Sequence, residues 1–173
     1  MQLEWFRRIG DYLFMRDEGN GSGIRGDTRV AIAQFSQRWQ RERSFIEGSN
    51  GLNTELNKIE QLGGGTNIDE ALWRTWTTFI KRYARPAVSV VIVLLTDGRS
   101  TTDWVDTVEF IKERNITIIA AGYGGASVGD MEAIATDKHH AFFGYRLEHL
   151  YNQLNELAQM ICRVNQTWSD ILE

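Results

Sequence analysis

Apolar positions along the chain fall into two patterns, one of helical period and one of short continuous runs. Trp5, Phe6, Ile9, Tyr12 and Leu13 recur at spacings of three and four, which gathers them on one helical face. The pattern stops at RDEGNGSGIRGD, where four glycines within eight residues cannot sustain a helix. TRVAIAQFS (28–36) is short, β-branched and apolar, and predicts a buried strand. QRWQRERSFIEG alternates loosely and carries Arg38, Arg41 and Arg43. It reads as an edge strand whose charges discourage pairing with another chain, in preference to a basic, aromatic-interleaved patch. NTELNKIEQL predicts a short helix with Leu56, Ile59 and Leu62 on one side. NIDEALWRTWTTFIKRYA predicts a longer one that turns Ile68, Leu72, Trp76, Phe79 and Ile80 inward.

In VSVVIVLL (88–95) seven of eight residues are apolar, which predicts a strand buried on both faces. DWVDTVEFIKERN is helical, with Val105, Val108, Phe110 and Ile111 facing in; ITIIAAGYG is a third buried strand. DMEAIATDK is a short helix and HAFFG a brief fourth strand. RLEHLYNQLNELAQMIC closes the chain with an apolar stripe of Leu147, Leu150, Leu154, Leu157 and Ile161. Strands alternating with helices imply right-handed crossovers and an α/β, doubly wound, mostly parallel sheet with helices on both faces. Ligands of such sheets bind outside the carboxyl ends of the strands.

Composition narrows the class without naming a function. The 173 residues suit one domain, 1–173, and no internal repeat or linker interrupts them. A net charge of −4 with no basic block argues against a nucleic-acid surface. No run of 18 apolar residues supplies a membrane span, and the amino-terminal residues lack the continuous apolar core of a signal peptide. Sequons stand at Asn20, Asn115 and Asn165, where chance gives about one, which leans toward a secreted protein. Cys162 is the only cysteine: a thiol awaiting a partner in a secreted protein, or a buried thiol on the last helix.

Two stretches carry candidate chemistry. The strand 88–95 ends in Thr96, Asp97 and Gly98, so a carboxylate stands at the carboxyl edge of the sheet. In LGGGTNIDEAL three glycines deliver Thr66 to the mouth of a helix with Asp69 and Glu70 in its first turn. A plain turn explains Asp97 alone, and Thr66 or Asn67 is a reasonable N-cap. Three consecutive glycines exceed what a cap needs; they let backbone approach closely or free the loop. Threonine hydroxyl and aspartate carboxylate are hard oxygen donors of the type that Mg²⁺, Ca²⁺ or Mn²⁺ prefers. Mg²⁺ keeps several waters and so stays open to a carboxylate from a partner. His139 and His140 are adjacent, and on a strand would point to opposite faces, which disfavours a metal pair. Arg25-Gly26-Asp27 spells a tripeptide that integrins recognise, in a segment where Gly26 and Asp27 also serve to turn the chain.

GGGTNIDEAL followed by VIVLLTDGRST resembles the von Willebrand factor type A domain, the integrin inserted-domain fold, and the likeness covers nearly the whole chain. That resemblance implies a metal-ion-dependent adhesion site, with Thr66 a direct ligand and Asp97 bound directly or through water. A partner's acidic residue would complete the coordination. The family's Asp-x-Ser-x-Ser triplet, which ends its first strand, is absent, and the chain opens inside the family's first helix. The resemblance therefore implies an N-terminally truncated domain, with Cys162 paired to a cysteine upstream of Met1. It also implies Mg²⁺ (or Mn²⁺ or Ca²⁺) in the complete domain and weak or no binding by this chain.

The function so implied is an extracellular adhesion or matrix-interaction module that binds a protein ligand offering an acidic residue. A metal-free A-type binding module is one alternative, and the A domain of an intracellular ATP-driven assembly another. Catalysis is not expected: no P-loop, nucleophile elbow or paired acid/base spacing occurs.

Overall fold

A computed structural model of the chain describes residues 2–15, 29–47, 49–60 and 62–164. Helix α1 (Gln2–Met15) leads to an antiparallel pair, β1 (Arg29–Phe35) and β2 (Trp39–Glu47), followed by α2 (Ser49–Leu56). Then come α3 (Ile68–Thr75), a π-helical turn (Trp76–Ile80) and α4 (Lys81–Tyr83). The strands β3 (Val91–Thr96), β4 (Thr117–Tyr123) and β5 (Ala141–Gly144) alternate with α5 (Val105–Lys112) and α6 (Val128–Ile134). The described chain ends on α7 (Leu147–Tyr151) and α8 (Leu154–Val164).

Strands β3, β4 and β5 pair in parallel in that order, in register from Val91–Thr117 to Thr96–Gly122. Alternate strand residues feed two cores, as the pleat requires. Ile92, Leu94, Ile118 and Ala120 pack under Ile68, Leu72, Val108, Ile111, Met131 and Ile134 from α3, α5 and α6. Leu95, Ile119 and Ala121 pack on the other side against Trp5, Ile9 and Leu13 of α1, with Leu147, Leu150, Leu157 and Ile161 of α7 and α8. The fold is thus doubly wound α/β, with helices on both faces. Cys162 is buried in this second core.

The pair β1–β2 and the trio β3–β4–β5 are separate sheets, divided by a cleft of about 940 Å³ lined by both. At about 24 cal/mol per Å³, a closed void of 940 Å³ would cost roughly 20 kcal/mol, more than the whole stability of most domains. It is therefore no ordinary packing void, and it leaves the facing edges of β1 and β3 without a strand partner among the described residues. Its presence explains why all seven β1 residues, and Val91 and Val93 of β3, are only half-buried while Ile118 to Ala121 are fully buried. The expectation of a β3 strand buried on both faces holds for Ile92, Leu94 and Leu95 but not for Val91 and Val93. Val88 is exposed, because Ala87 turns at φ 58° and the strand begins only at Val91.

Other boundaries move for local reasons. Helix α2 starts at Ser49 and stops at Leu56, because Leu52 and Leu56 pack under α1, with Leu52 against Gly10. Ile59 and Leu62 therefore lie beyond the helix. Strand β2 sits at the edge as expected, and two register shifts against β1 make it irregular. The expected long helix after the glycine loop is helical to Tyr83 but passes through the π turn. Val105 is exposed at the first position of α5, and Trp104 packs on the core in its place. The closing helix is two: Gln153 leaves the helical path, and its amide donates to the Phe143 carbonyl at 3.1 Å. His139 and His140 lie in a 3₁₀ turn (Lys138–His140), and His140 pairs with Asp137 at 3.0 Å.

Candidate functional site at the carboxyl edge of the sheet

Thr66 and Asp97 arrive on different elements and meet at one end of the cleft, which both line. Asn67, not Thr66, caps α3: its Oδ1 accepts from the Glu70 N–H at 2.9 Å. The Thr66 hydroxyl is thereby released from capping. Its backbone is fixed instead, for the Thr66 carbonyl accepts from the Thr101 N–H at 2.7 Å and the Thr101 hydroxyl at 2.9 Å. The glycines make this approach possible. Gly64 sits at φ +119°, and a Cβ on Gly65 would come within 3.0 Å of Gln37. A Cβ on Gly98 would lie 2.8 Å from Thr66 Oγ1, so the bare glycine beside Asp97 is what seats that hydroxyl.

Asp97 is held by its backbone, and its side chain is hydrogen-bonded to the Tyr123 phenol. The buried Thr96 hydroxyl accepts from the Gly98 N–H at 3.3 Å and donates to the Gly98 carbonyl at 3.1 Å, closing the turn around Asp97. Gly125 N–H donates to the Asp97 carbonyl at 2.9 Å, with Gly124 at φ +62° shaping that loop. The Asp97 carboxylate is exposed. Beside it stands the Tyr123 phenol at the end of β4, which accepts from the Gln2 amide at 2.7 Å. Burial, and then the nearby Asp97 charge, hold that phenol above the usual tyrosine range, although the Gln2 bond opposes the shift.

A second shelf of hydroxyls escaped the sequence reading. Ser100 Oγ accepts from the Ile68 N–H at 3.3 Å and lies 3.4 Å from Thr102 Oγ1, which donates to Asn67 Oδ1 at 2.8 Å. The signal was the hydroxyl run Ser100-Thr101-Thr102 after Asp97-Gly98, which looks like an ordinary polar turn until Thr66 is placed against it. The acidic residues of the α3 first turn are engaged elsewhere. Asp69 accepts from the Thr107 hydroxyl at 2.6 Å, and Glu70 pairs with Arg74 at 3.2 Å.

Thr66 and Asp97 offer the donor set of one side of a hard-cation site, a neutral and an anionic oxygen, with the Thr66 hydroxyl seated against Gly98, the residue after Asp97. Among the described residues no group of three His, Cys, Asp or Glu side chains could hold a metal alone. Asn115 is exposed at φ 54° in the turn before β4. Asn20, Asn165 and the tripeptide Arg25, Gly26 and Asp27 lie outside the described residues. Among the described residues no helix is long and apolar enough to cross a membrane.

A doubly wound sheet with a glycine-delivered threonine and an aspartate at its carboxyl edge is the architecture of an A-type domain. The chain belongs to the von Willebrand factor type A domain family, whose model matches residues 18–159. It is 30% identical to the human collagen alpha-5(VI) chain over 139 residues, covering 78% of this chain and 5% of that protein. Bovine vitrin is 28% identical over 141 residues, 79% of this chain and 21% of vitrin. The chain thus spans a small part of these relatives. Proximal thread matrix protein 1 from the mussel byssus, solved with a zinc-occupied MIDAS motif, superposes with a TM-score of 0.76 at 20% identity. That superposition covers 93% of this chain and 40% of the other.

Proposed function

We propose that the chain is an extracellular, non-enzymatic adhesion module of the matrix, whose carboxyl-edge site binds a protein ligand with the help of a divalent cation. The observation that carries this reading is the seating of the Thr66 hydroxyl over Gly98, beside the exposed Asp97 carboxylate, once Asn67 has taken over the cap. Thr66 and Asp97 hold one side of Mg²⁺, or of Mn²⁺ or Ca²⁺; the cation supplies the positive charge that attracts an acidic side chain of the ligand. Two protein oxygens form a weak site, so this chain alone binds the cation weakly. The relatives, collagen VI chains and vitrin, and the zinc-occupied byssus neighbour support the matrix setting and the cation class. Asn115, exposed in its sequon, is a glycosylation site in that setting.

The test is adhesion of the purified chain to decellularised matrix with Mn²⁺ and with EDTA. Cation-dependent binding that is lost in Thr66→Val and Asp97→Ala supports the reading. A metal-free A-type module is the second reading, favoured by the shortage of acidic ligands among the described residues. Binding unchanged by EDTA and by both substitutions would establish it in place of the first.

A further inference from the structure

The outer face of the layer formed by α3 and α5 carries an aromatic shelf that the core leaves open. Trp73 of α3 and Trp76 of the π turn stand three residues apart, as neighbours on one helical face. Phe110 of α5 meets both edge to face, with ring centroids 5.3 and 5.5 Å away. Trp73 is 44% exposed, and Trp76 and Phe110 are half-buried. Arg114 covers one part of the shelf: its guanidinium lies 3.4 Å from the Phe110 centroid and 5.6 Å from that of Trp76. The same group donates to the Phe110 carbonyl at 2.7 Å. The Trp73 indole remains as the open end. Contiguous exposed aromatic surface of this kind marks a contact site.

What borders the shelf identifies its occupant. Asn115, in the sequon Asn115-Ile116-Thr117, directly follows Arg114, and it is exposed at φ 54° where the chain turns from α5 into β4. Both α3 and α5 run away from the carboxyl edge of the sheet, so Trp76, Arg114 and Asn115 share the far end, and Trp73 stands one turn nearer that edge. From Phe110 to Asn115 is five residues, roughly 7 Å along the helix axis at 1.5 Å per residue. The two N-acetylglucosamines of an N-glycan core span that distance. One face of each pyranose ring presents only C–H bonds and stacks on an indole, and the guanidinium of Arg114 supplies donors for the sugar oxygens. Exposed Asp106 and Glu113, a turn to either side of Phe110, oppose pairing of this face with its copy on a second chain. We infer that the shelf of Trp76 and Trp73 seats the N-glycan of Asn115, whose first two sugars cover the indoles and hold the glycan clear of Thr66 and Asp97. This rests on the reading of Asn115 as a glycosylation site and adds to it where the glycan lies and what holds it.

The test uses the full chain secreted from glycosylating cells behind a leader peptide, with Asn115 occupancy read from the glycopeptide mass. With Asn115 occupied, the expected result is nuclear Overhauser contacts from the core N-acetylglucosamine protons to the Trp73 and Trp76 indoles. Those sugar resonances should also shift upfield through the ring currents. Trp73→Ala should reduce the upfield shifts while leaving occupancy and the amide spectrum of β3, β4 and β5 unchanged. Asn115→Gly keeps the turn, since glycine accepts φ 54°, and removes the glycan. Relaxation of the Trp73 and Trp76 ring protons by a soluble gadolinium chelate should then rise about twofold, because the bulky glycan is gone. Three results would overturn the inference. Asn115 found without glycan would remove the modification and the seat together. Occupied Asn115 with no sugar contact to either indole would remove the seat alone. Ring protons still shielded in Asn115→Gly would assign the shelf to a second copy or another protein.

Discussion

Gly98→Ala isolates the seating of Thr66 from everything else at the site. Gly98 does not occupy the left-handed region, so alanine meets no backbone penalty there. The new Cβ would stand 2.8 Å from Thr66 Oγ1, whereas ordinary contact begins at 3.4 Å. Thr66 cannot retreat through its backbone, since Thr101 grips its carbonyl twice. The side chain must rotate, at about 0.5–1.5 kcal/mol for leaving its rotamer well. The reduced freedom of the unfolded chain returns about 0.4–1 kcal/mol. The net change in stability is therefore within about 1 kcal/mol, or a midpoint shift of roughly 2–4 °C at this size. Cation binding responds differently, because the hydroxyl is displaced from its seat against Gly98. Affinity for Mn²⁺ should fall at least tenfold, about 1.4 kcal/mol. Urea denaturation and a Mn²⁺ titration followed by NMR line broadening measure the two effects on one sample. The reasoning fails if Mn²⁺ binds the variant unchanged, or if the variant loses more than about 3 kcal/mol of stability.

Three further outcomes follow from particular contacts. Gly122→Ala places a Cβ 2.8 Å from Met131 Cγ and 2.9 Å from Ala126 Cβ, so overpacking should destabilise the fold by about 1–3 kcal/mol in urea denaturation. Ala87→Gly relieves a φ of 58° and should stabilise by up to about 1 kcal/mol; a lower urea midpoint would refute that turn. The Tyr123 phenol should titrate above the usual tyrosine range by carbon-13 NMR, and Asp97→Asn should bring it part of the way back. No movement in that variant would place the carboxylate away from the phenol.

Much of the fold was legible because burial dictated the residue pattern. The run Ile118–Ala121 is wholly buried and reads as a strand from its composition alone. Thr66 and Asp97 were legible because glycines and a strand end mark them locally. What escaped was set by contacts distant in sequence. Leu52 fixes α2 through Gly10, 42 residues earlier in the chain, and Gln153 breaks the last helix for a carbonyl on β5. Ser100, Thr102, Tyr123 and Gln2 have ordinary identities, and only tertiary placement brings them beside Asp97 or Asn67. The half-burial of β1 was likewise invisible, since it follows from the cleft and not from the strand's own composition.

The central claim is that Thr66 and Asp97 form one side of a divalent-cation site. Its most direct test is paramagnetic broadening of the nitrogen-15-labelled chain by substoichiometric Mn²⁺. The account predicts broadening confined to Thr66–Asn67 and Asp97–Thr102, abolished in Asp97→Ala. Broadening centred elsewhere, on Asp137–His140 for example, or undiminished in that variant, would contradict it.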